Sequence, residues 1–234
     1  MRVAIHQPQY LPWLGYLAKW AAADLLIFLD TVQYEKNGWQ NRNRVKTTAG
    51  PRWLTVPVNA RFGARIDEIA VDERQPWARR HLATIEQSYA TSPHLPGHRD
   101  GLRRLYEDRW TELVAVATAS ARWLGHAIGI RTPTCCASEL AVTATDPTDR
   151  LVALCRAVGA TTYLAGRDGA AYLDLRRFRD ARIAVQQQRY EHPVYGQLHG
   201  PFVPFLSGLD LLLSAGNEAL DVLRAGDRWT AAGV

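Results

Sequence analysis

A chain of 234 residues, 47% of them hydrophobic, is long enough to bury a core as one domain or as a domain with a cap, and it has no apolar run near the ~20 residues of a membrane span. Its net charge of +5 invites nucleic acid, but the 28 basic residues are three lysines and 25 arginines. Those at Arg79-Arg80, Arg103-Arg104, Arg122 and Arg176-Arg177 are interleaved with Asp and Glu, as on solvated helix faces, so nucleic acid is a minor alternative.

Three cysteines, two of them adjacent at Cys135 and Cys136, fit reduced thiols better than a disulfide framework or a zinc site. Met1-Arg2 leads directly into a strand without the apolar region of a signal peptide, so a cytoplasmic location is expected.

Val3-Ala4-Ile5 reads as a short buried strand, stopped by His6-Gln7-Pro8. Pro8 and Pro12 then frame a loop that can join neither a sheet interior nor a regular helix. Residues 16–23 have helical spacing, and 25–29 form a second apolar run ended by Asp30. This is a βαβ unit, and its first crossover opens with a histidine where such units bind ligands, beyond the carboxyl end of a strand. Residues 31–48 read as a polar, aromatic-dotted loop, of the long kind that tends to carry function.

Residues 53–58 and 66–71 read as short strands, the first of them edge-like because of Pro57. Trp77, His81, Ile85 and Tyr89, four apart, predict an amphipathic helix over 77–89. A turn at 92–97 precedes helices at 100–106 and 111–128. Beyond Pro133 come a strand at 134–140, an N-cap at Asp146-Pro147 and a helix over 148–158 closed by Gly159. Residues 161–165 read as a strand stopped by Gly166, 172–178 as a short helix and 181–190 as a strand. A Pro/Gly-punctuated loop leads to a helix at 206–213, and the tail from Gly226 is expected to fray. The alternation predicts an α/β, Rossmann-like, mostly parallel sheet with helices on both faces. All of 1–234 is expected to be one domain, with a helical cap or subdomain at 76–130.

His6 suits general acid or base work; the blander alternative is a loop histidine bonded to backbone. Asp30 could orient it, bind a hydroxyl or hold Mg²⁺, or merely end a strand. Lys36, Asn37, Trp39, Asn41, Arg42 and Asn43 gather donors around an aromatic. The cations suit a carboxylate or phosphate, the amides suit hydroxyls, and the indole suits a stacked ring. A plain polar surface loop is the alternative. Gln7, Tyr10, Tyr16 and Tyr34 occupy the same two stretches and complete the binding candidates there. In the late loop His199 joins the catalytic candidates and Gln197 the binding ones, whereas Ser207 and Asp210 read as a helix cap. Gly166 allows close approach of a ligand to the backbone. His6, Asp30 and His199 are too scattered to argue a metal, and none is expected. The phosphate, dinucleotide, serine-hydrolase and CxxC motifs are missing, which removes the usual support for those classes.

Four stretches, HQPQYLPWLGY (6–16), FLDTVQYEKNGWQNRNRVK (28–46) with WLTVPV (53–58), YLAG (163–166) with YLD (172–174), and YEHPVYGQLHGPFVPFLSGLDLLLSAG (190–216), together resemble the WbqC-like protein family of bacterial surface-polysaccharide (O-antigen) and specialised-metabolite gene clusters. The resemblance implies a biosynthetic transferase or ligase that moves an acyl, aminoacyl or glycosyl group onto an amino or hydroxyl acceptor. The opening also looks like that of nucleotidylyltransferases of the HIGH type. The second signature position here is Tyr16 rather than histidine, however, which removes a charge that such chemistry uses. The expected partner is a small-molecule substrate, nucleotide-activated or aminoacyl in type, with no membrane; the cofactor is unassigned and a homo-oligomer is open. Two alternatives remain: a tRNA-contacting enzyme, and a scaffolding protein with an unperturbed His6 and no cavity under 31–48.

Overall fold

The apolar runs near residues 3, 26 and 163 are continuous, as strands covered on both faces require, and they pair at the centre of the molecule. The computed structural model describes residues 1–167, 169 and 173–232. Strand β1 (Arg2–His6) lies parallel to β2 (Leu25–Phe28) on one side and to β8 (Thr162–Ala165) on the other, with His6 opposite Phe28 and Ala4 opposite Leu164. With β7 (Thr134–Cys136), β9 (Ala184–Tyr190) and β10 (Asp227–Ala231) the sheet order is β10-β9-β8-β1-β2-β7, antiparallel only at β10. The fold is α/β, with a mostly parallel sheet.

Alternate strand residues face opposite sides, which divides the core in two. Val3, Ile5, Ile27 and Tyr163 pack with Val152 of α5 (Pro147–Ala157) and Phe178 of α6 (Leu175–Asp180). Ala4, Leu26, Phe28 and Leu164 join the larger cluster on the other face. That cluster takes in α1 (Leu14–Ala22), α7 (Gly208–Ala215), α8 (Ala219–Ala225) and the helical middle of the chain, α2 (Trp77–Ser88), α3 (Leu95–Glu107) and α4 (Leu113–Ile128). Trp77, His81, Ile85 and Tyr89 are all buried, as their spacing predicts. No helix among the described residues is long and apolar enough to cross a membrane.

Several local expectations are corrected. The 31–48 stretch is not all loop: β3 (Arg42–Thr47) and β4 (Gly50–Thr55) make a hairpin. Polar side chains on both of its faces hid the period of two, with Asn43 and Val45 buried and Arg42 and Arg44 half-buried. β5 (Val58–Asn59) and β6 (Ala70–Val71) are a two-residue ladder, with a 3-10 turn at Ile66–Glu68. Helix α3 begins inside the expected turn, because Pro96 is tolerated in a first helical turn. After β7 the chain makes a 3-10 turn at Ala137–Leu140. Asp174 caps α6 by accepting from the Arg176 N–H; the expected start of that helix at Tyr172 lies outside the described residues. The tail does not fray at Gly226 but pairs as β10, with Trp229 Nε1 donating to Asp227 Oδ2 at 2.8 Å.

From β2 the chain moves to β7, then returns across β1 to β8. The order of strands therefore reverses between β1 and β8, and such a reversal opens a crevice at the carboxyl ends of the strands.

Candidate functional site

Beyond His6 the Pro-framed loop is held in an uncommon shape. Leu11 has φ 45°, a left-handed conformation costly for a branched side chain. It is pinned from two sides: its N–H donates to Ser120 Oγ at 3.1 Å, and its carbonyl accepts from Asn43 Nδ2 at 2.7 Å. This clamp between α4 and β3 fixes where Trp13 and α1 begin.

Above the β1/β8 reversal lies a cavity of about 680 Å³. His6 and Gln7 line it from the end of β1, Gly15, Tyr16 and Lys19 from α1, and Tyr163, Gly166 and Arg167 from β8 and the turn after it. Gln188, Tyr190 and His192 come from β9 and its exit, and Trp39, Arg44 and Phe205 form the outer wall. No Asp or Glu stands among the described lining residues.

The half-buried His6 has its Nδ1 3.2 Å from the Gln7 carbonyl. A carbonyl only accepts, so this bond puts the proton on Nδ1 and leaves a lone pair on Nε2. Desolvation by the surrounding walls, then the neighbouring Lys19, hold the imidazole pKa well below its ordinary value, so it is neutral at pH 7. The Tyr16 ring lies 4.5 Å from it, and the buried Tyr16 hydroxyl has no hydrogen-bond partner among the described residues. Lys19 Nζ donates to the Ile5 carbonyl at 3.3 Å, and burial lowers its pKa to about 7.

The outer wall is aromatic and cationic. Trp13 packs 5.7 Å from Tyr190 and 5.8 Å from Phe205, and Trp39 lies 5.5 Å from Trp53. Arg42 and Arg44 share one face of β3 and sit 4.4 and 5.5 Å over the Trp53 ring. Arg44 Nη2 also donates to the Phe205 carbonyl at 3.2 Å. His192 donates from Nδ1 to the Pro193 carbonyl (2.9 Å) and accepts at Nε2 from the Phe205 N–H (3.2 Å), so both of its nitrogens are occupied.

Of the residues singled out from sequence, the structure brings His6, Gln7, Tyr16, Trp39 and Gly166 to this cavity. The others lie elsewhere. Asp30 is buried and accepts from the Ser138 N–H (3.0 Å) and hydroxyl (2.6 Å). Tyr10 bonds His81 Nδ1 (2.9 Å) and the Tyr106 hydroxyl inside the helical region. Tyr34 is buried, with its N–H donating to Ala64 O at 2.9 Å. Asn41 Nδ2 donates to Val56 O at 2.8 Å. Asn43 serves the Leu11 clamp, and Arg42 is tied to the Asn37 carbonyl. Lys36 and Asn37 are exposed. His199 Nε2 bonds Ser88 O, and Gln197 accepts from Lys46 Nζ at 3.1 Å. No cluster of three or more metal-ligating side chains occurs among the described residues.

Sequence reasoning passed over Lys19, Arg44, Gln188, Tyr190, His192 and Phe205. Two signals were available. Lys19 is the only charged residue of the helix LGYLAKWAA, and Arg44 shares its strand face with Arg42.

The 191–206 segment that supplies His192 and Phe205 is anchored by a buried network. Asp210, expected to serve as a cap, instead accepts from the Tyr89 hydroxyl (2.7 Å) and the Tyr195 hydroxyl (2.9 Å). Lys46 Nζ meanwhile donates to Gln197 Oε1 and to the Gly200 and Pro201 carbonyls. Asp210→Ala strands the buried Tyr89 hydroxyl and the part-buried Tyr195 hydroxyl, and a loss on the order of 2–4 kcal/mol is expected. Urea unfolding measures it; a midpoint equal to that of the wild type overturns this account.

The family model described as the WbqC-like protein family matches residues 7–222. A Mycobacterium tuberculosis (strain ATCC 25618 / H37Rv) relative, named "Uncharacterized protein Rv1507c", is 37% identical over 227 residues, covering 95% of this chain and 97% of its own length. No solved structure matches. On a family match that spans most of its length and a relative this similar end to end, the chain belongs to the WbqC-like protein family.

Proposed function

We propose that the chain is a biosynthetic enzyme that transfers an activated acyl, aminoacyl or glycosyl group to an amino or hydroxyl acceptor in the crevice above β1 and β8, with His6 as the base. One observation carries this: His6, with a free lone pair on Nε2, shares a single cavity with Trp39 and Arg44 of the segment after β2. Nε2 takes the acceptor proton as the acceptor's lone pair bonds the electrophilic carbon, and the leaving group departs with the bonding electrons. The same walls that lower the His6 pKa disfavour imidazolium and favour return of the proton to the leaving group. Trp39 and Phe205 offer faces for a planar or sugar ring, and the cavity volume falls in the range of small-molecule sites.

A scaffolding role requires neither this cavity nor a desolvated histidine at its floor, and both features favour catalysis. The test is a panel of ATP, sugar nucleotides, acyl-CoA and RNA, offered to the wild type and to His6→Ala with mixed amine and alcohol acceptors. Thermal shift and product mass are the readouts. An activated donor should raise the melting temperature and be consumed, with consumption lost in the variant. Stabilisation by RNA alone, or donor binding without product, overturns the proposal.

A further inference from the structure

The floor of the crevice contains a buried lysine amine with no carboxylate beside it among the described residues. Helical side chains lean toward the amino end of their helix, and at Lys19 this carries the amine across the ends of β1 and β8. Nζ lies 3.3 Å from the Ile5 carbonyl and 3.7 Å from where a Cβ on Gly166 would stand. The residue is 2% exposed. An ammonium has three N–H donors, and the Ile5 carbonyl is the only hydrogen-bond acceptor described for it. His6 faces the same cavity from β1, Tyr16 from α1, Tyr163 from β8, Arg167 from the turn beyond, and Arg44 from β3. None is a carboxylate, and burial keeps both tyrosines protonated. A buried ammonium in such surroundings bears an uncompensated desolvation cost, which an anion brought to it would relieve.

We propose that the floor of the crevice is an oxyanion subsite, in which Lys19 Nζ takes oxygens of a carboxylate or phosphate ester carried by the substrate. The proposal rests on the crevice being the substrate site and adds the chemical class of what enters. Lys19 bonds the carbonyl of the residue before His6, so an anion held there lies beside the base. The substrate's charged group is therefore close to its reacting atom, as in an amino or hydroxy acid or a glycosyl phosphate. Gly166 leaves the space beside Nζ open to the anion; a side chain there would fill it.

The chain has only three lysines, Lys19, Lys36 and Lys46, so lysine labelled with ¹³C at Cε gives three signals. That of Lys19 is identified by its loss in Lys19→Met. Inorganic phosphate and acetate are titrated separately through the millimolar range at pH 7 and constant ionic strength, with chloride as the control. One anion should shift the Lys19 signal saturably toward the charged form, while Lys36 and Lys46 follow the chloride control. Lys19→Met should bind that anion roughly tenfold or more weakly, by a competition assay against the donor from the panel. A phosphate response points to a phosphate ester and an acetate response to a carboxylate. A Lys19 signal that follows chloride in both arms overturns the subsite, and leaves the transfer proposal standing if the panel donor is still consumed. A Lys19 response without any donor consumption leaves the subsite standing and sinks the transfer proposal.

Discussion

Replacing His6 with alanine is expected to lower turnover by roughly 10²–10⁴-fold, the range for loss of a positioned base, with little loss of stability. The imidazole's one described hydrogen bond is to the carbonyl of its own neighbour, so its removal orphans no distant group. His6→Gln should be nearly as inactive, because an amide nitrogen carries no basic lone pair. The pH profile provides a second check. A base works deprotonated, so rate falls as pH falls through its pKa, and the pKa of His6 lies well below the ordinary 6.5. The acid limb of kcat/KM should therefore sit clearly below pH 6.5, and neutral pH should lie on the plateau as far as His6 is concerned. Single-turnover rates over pH 4.5–8 with the donor found by the panel measure it. Wild-type rates in His6→Ala remove this residue from the chemistry.

The parts legible in the sequence were those written in neighbouring residues. The βαβ opening was visible because apolar runs, prolines and helical spacing are local signals, and the position of His6 follows from where the first run stops. Side chains whose partners are distant in sequence were not legible. Asn41 and Asn43 looked like ligand donors in a hydrophilic stretch, but their amides satisfy the carbonyls of Val56 and Leu11, which a buried backbone requires. Asp210 looked like a cap, and its partners Tyr89 and Tyr195 lie on other segments. Arg44 reaches the cavity only because β3 pairs with β4 and turns it, together with Arg42, onto Trp53; Arg42 itself stays outside the cavity. Lys19 was hidden by a sound habit: a lone lysine in a short helix normally faces water, and only the packing of α1 against the end of β1 puts this one inside.

That packing makes Lys19→Met the substitution with the largest expected effect on stability, and its sign depends on pH. In the unfolded chain the amine titrates near its ordinary value of 10.5, whereas in the folded protein burial brings it to about 7. Below pH 7 both states hold the proton, and the folded state bears the full cost of a buried charge. Between pH 7 and 10.5 the unfolded state binds more protons than the folded one, so this group's contribution to stability becomes less unfavourable as pH rises. The difference between the two pKa values corresponds to a penalty on the order of 4–5 kcal/mol at and below neutrality. Methionine fills nearly the same space without charge, so the variant should be more stable than the wild type at pH 6. That advantage should shrink steadily toward pH 10. Denaturant unfolding of both proteins at pH 6, 8 and 10 gives the difference directly, and other titrating groups cancel in it. Parallel curves, or a variant less stable than the wild type at pH 6, would mean that Lys19 is already paired in the free protein. A saturating anion at the proposed subsite should act in the same direction on the wild type alone. It supplies the missing counter-charge, raises the folded-state pKa and closes the gap to the variant at pH 6.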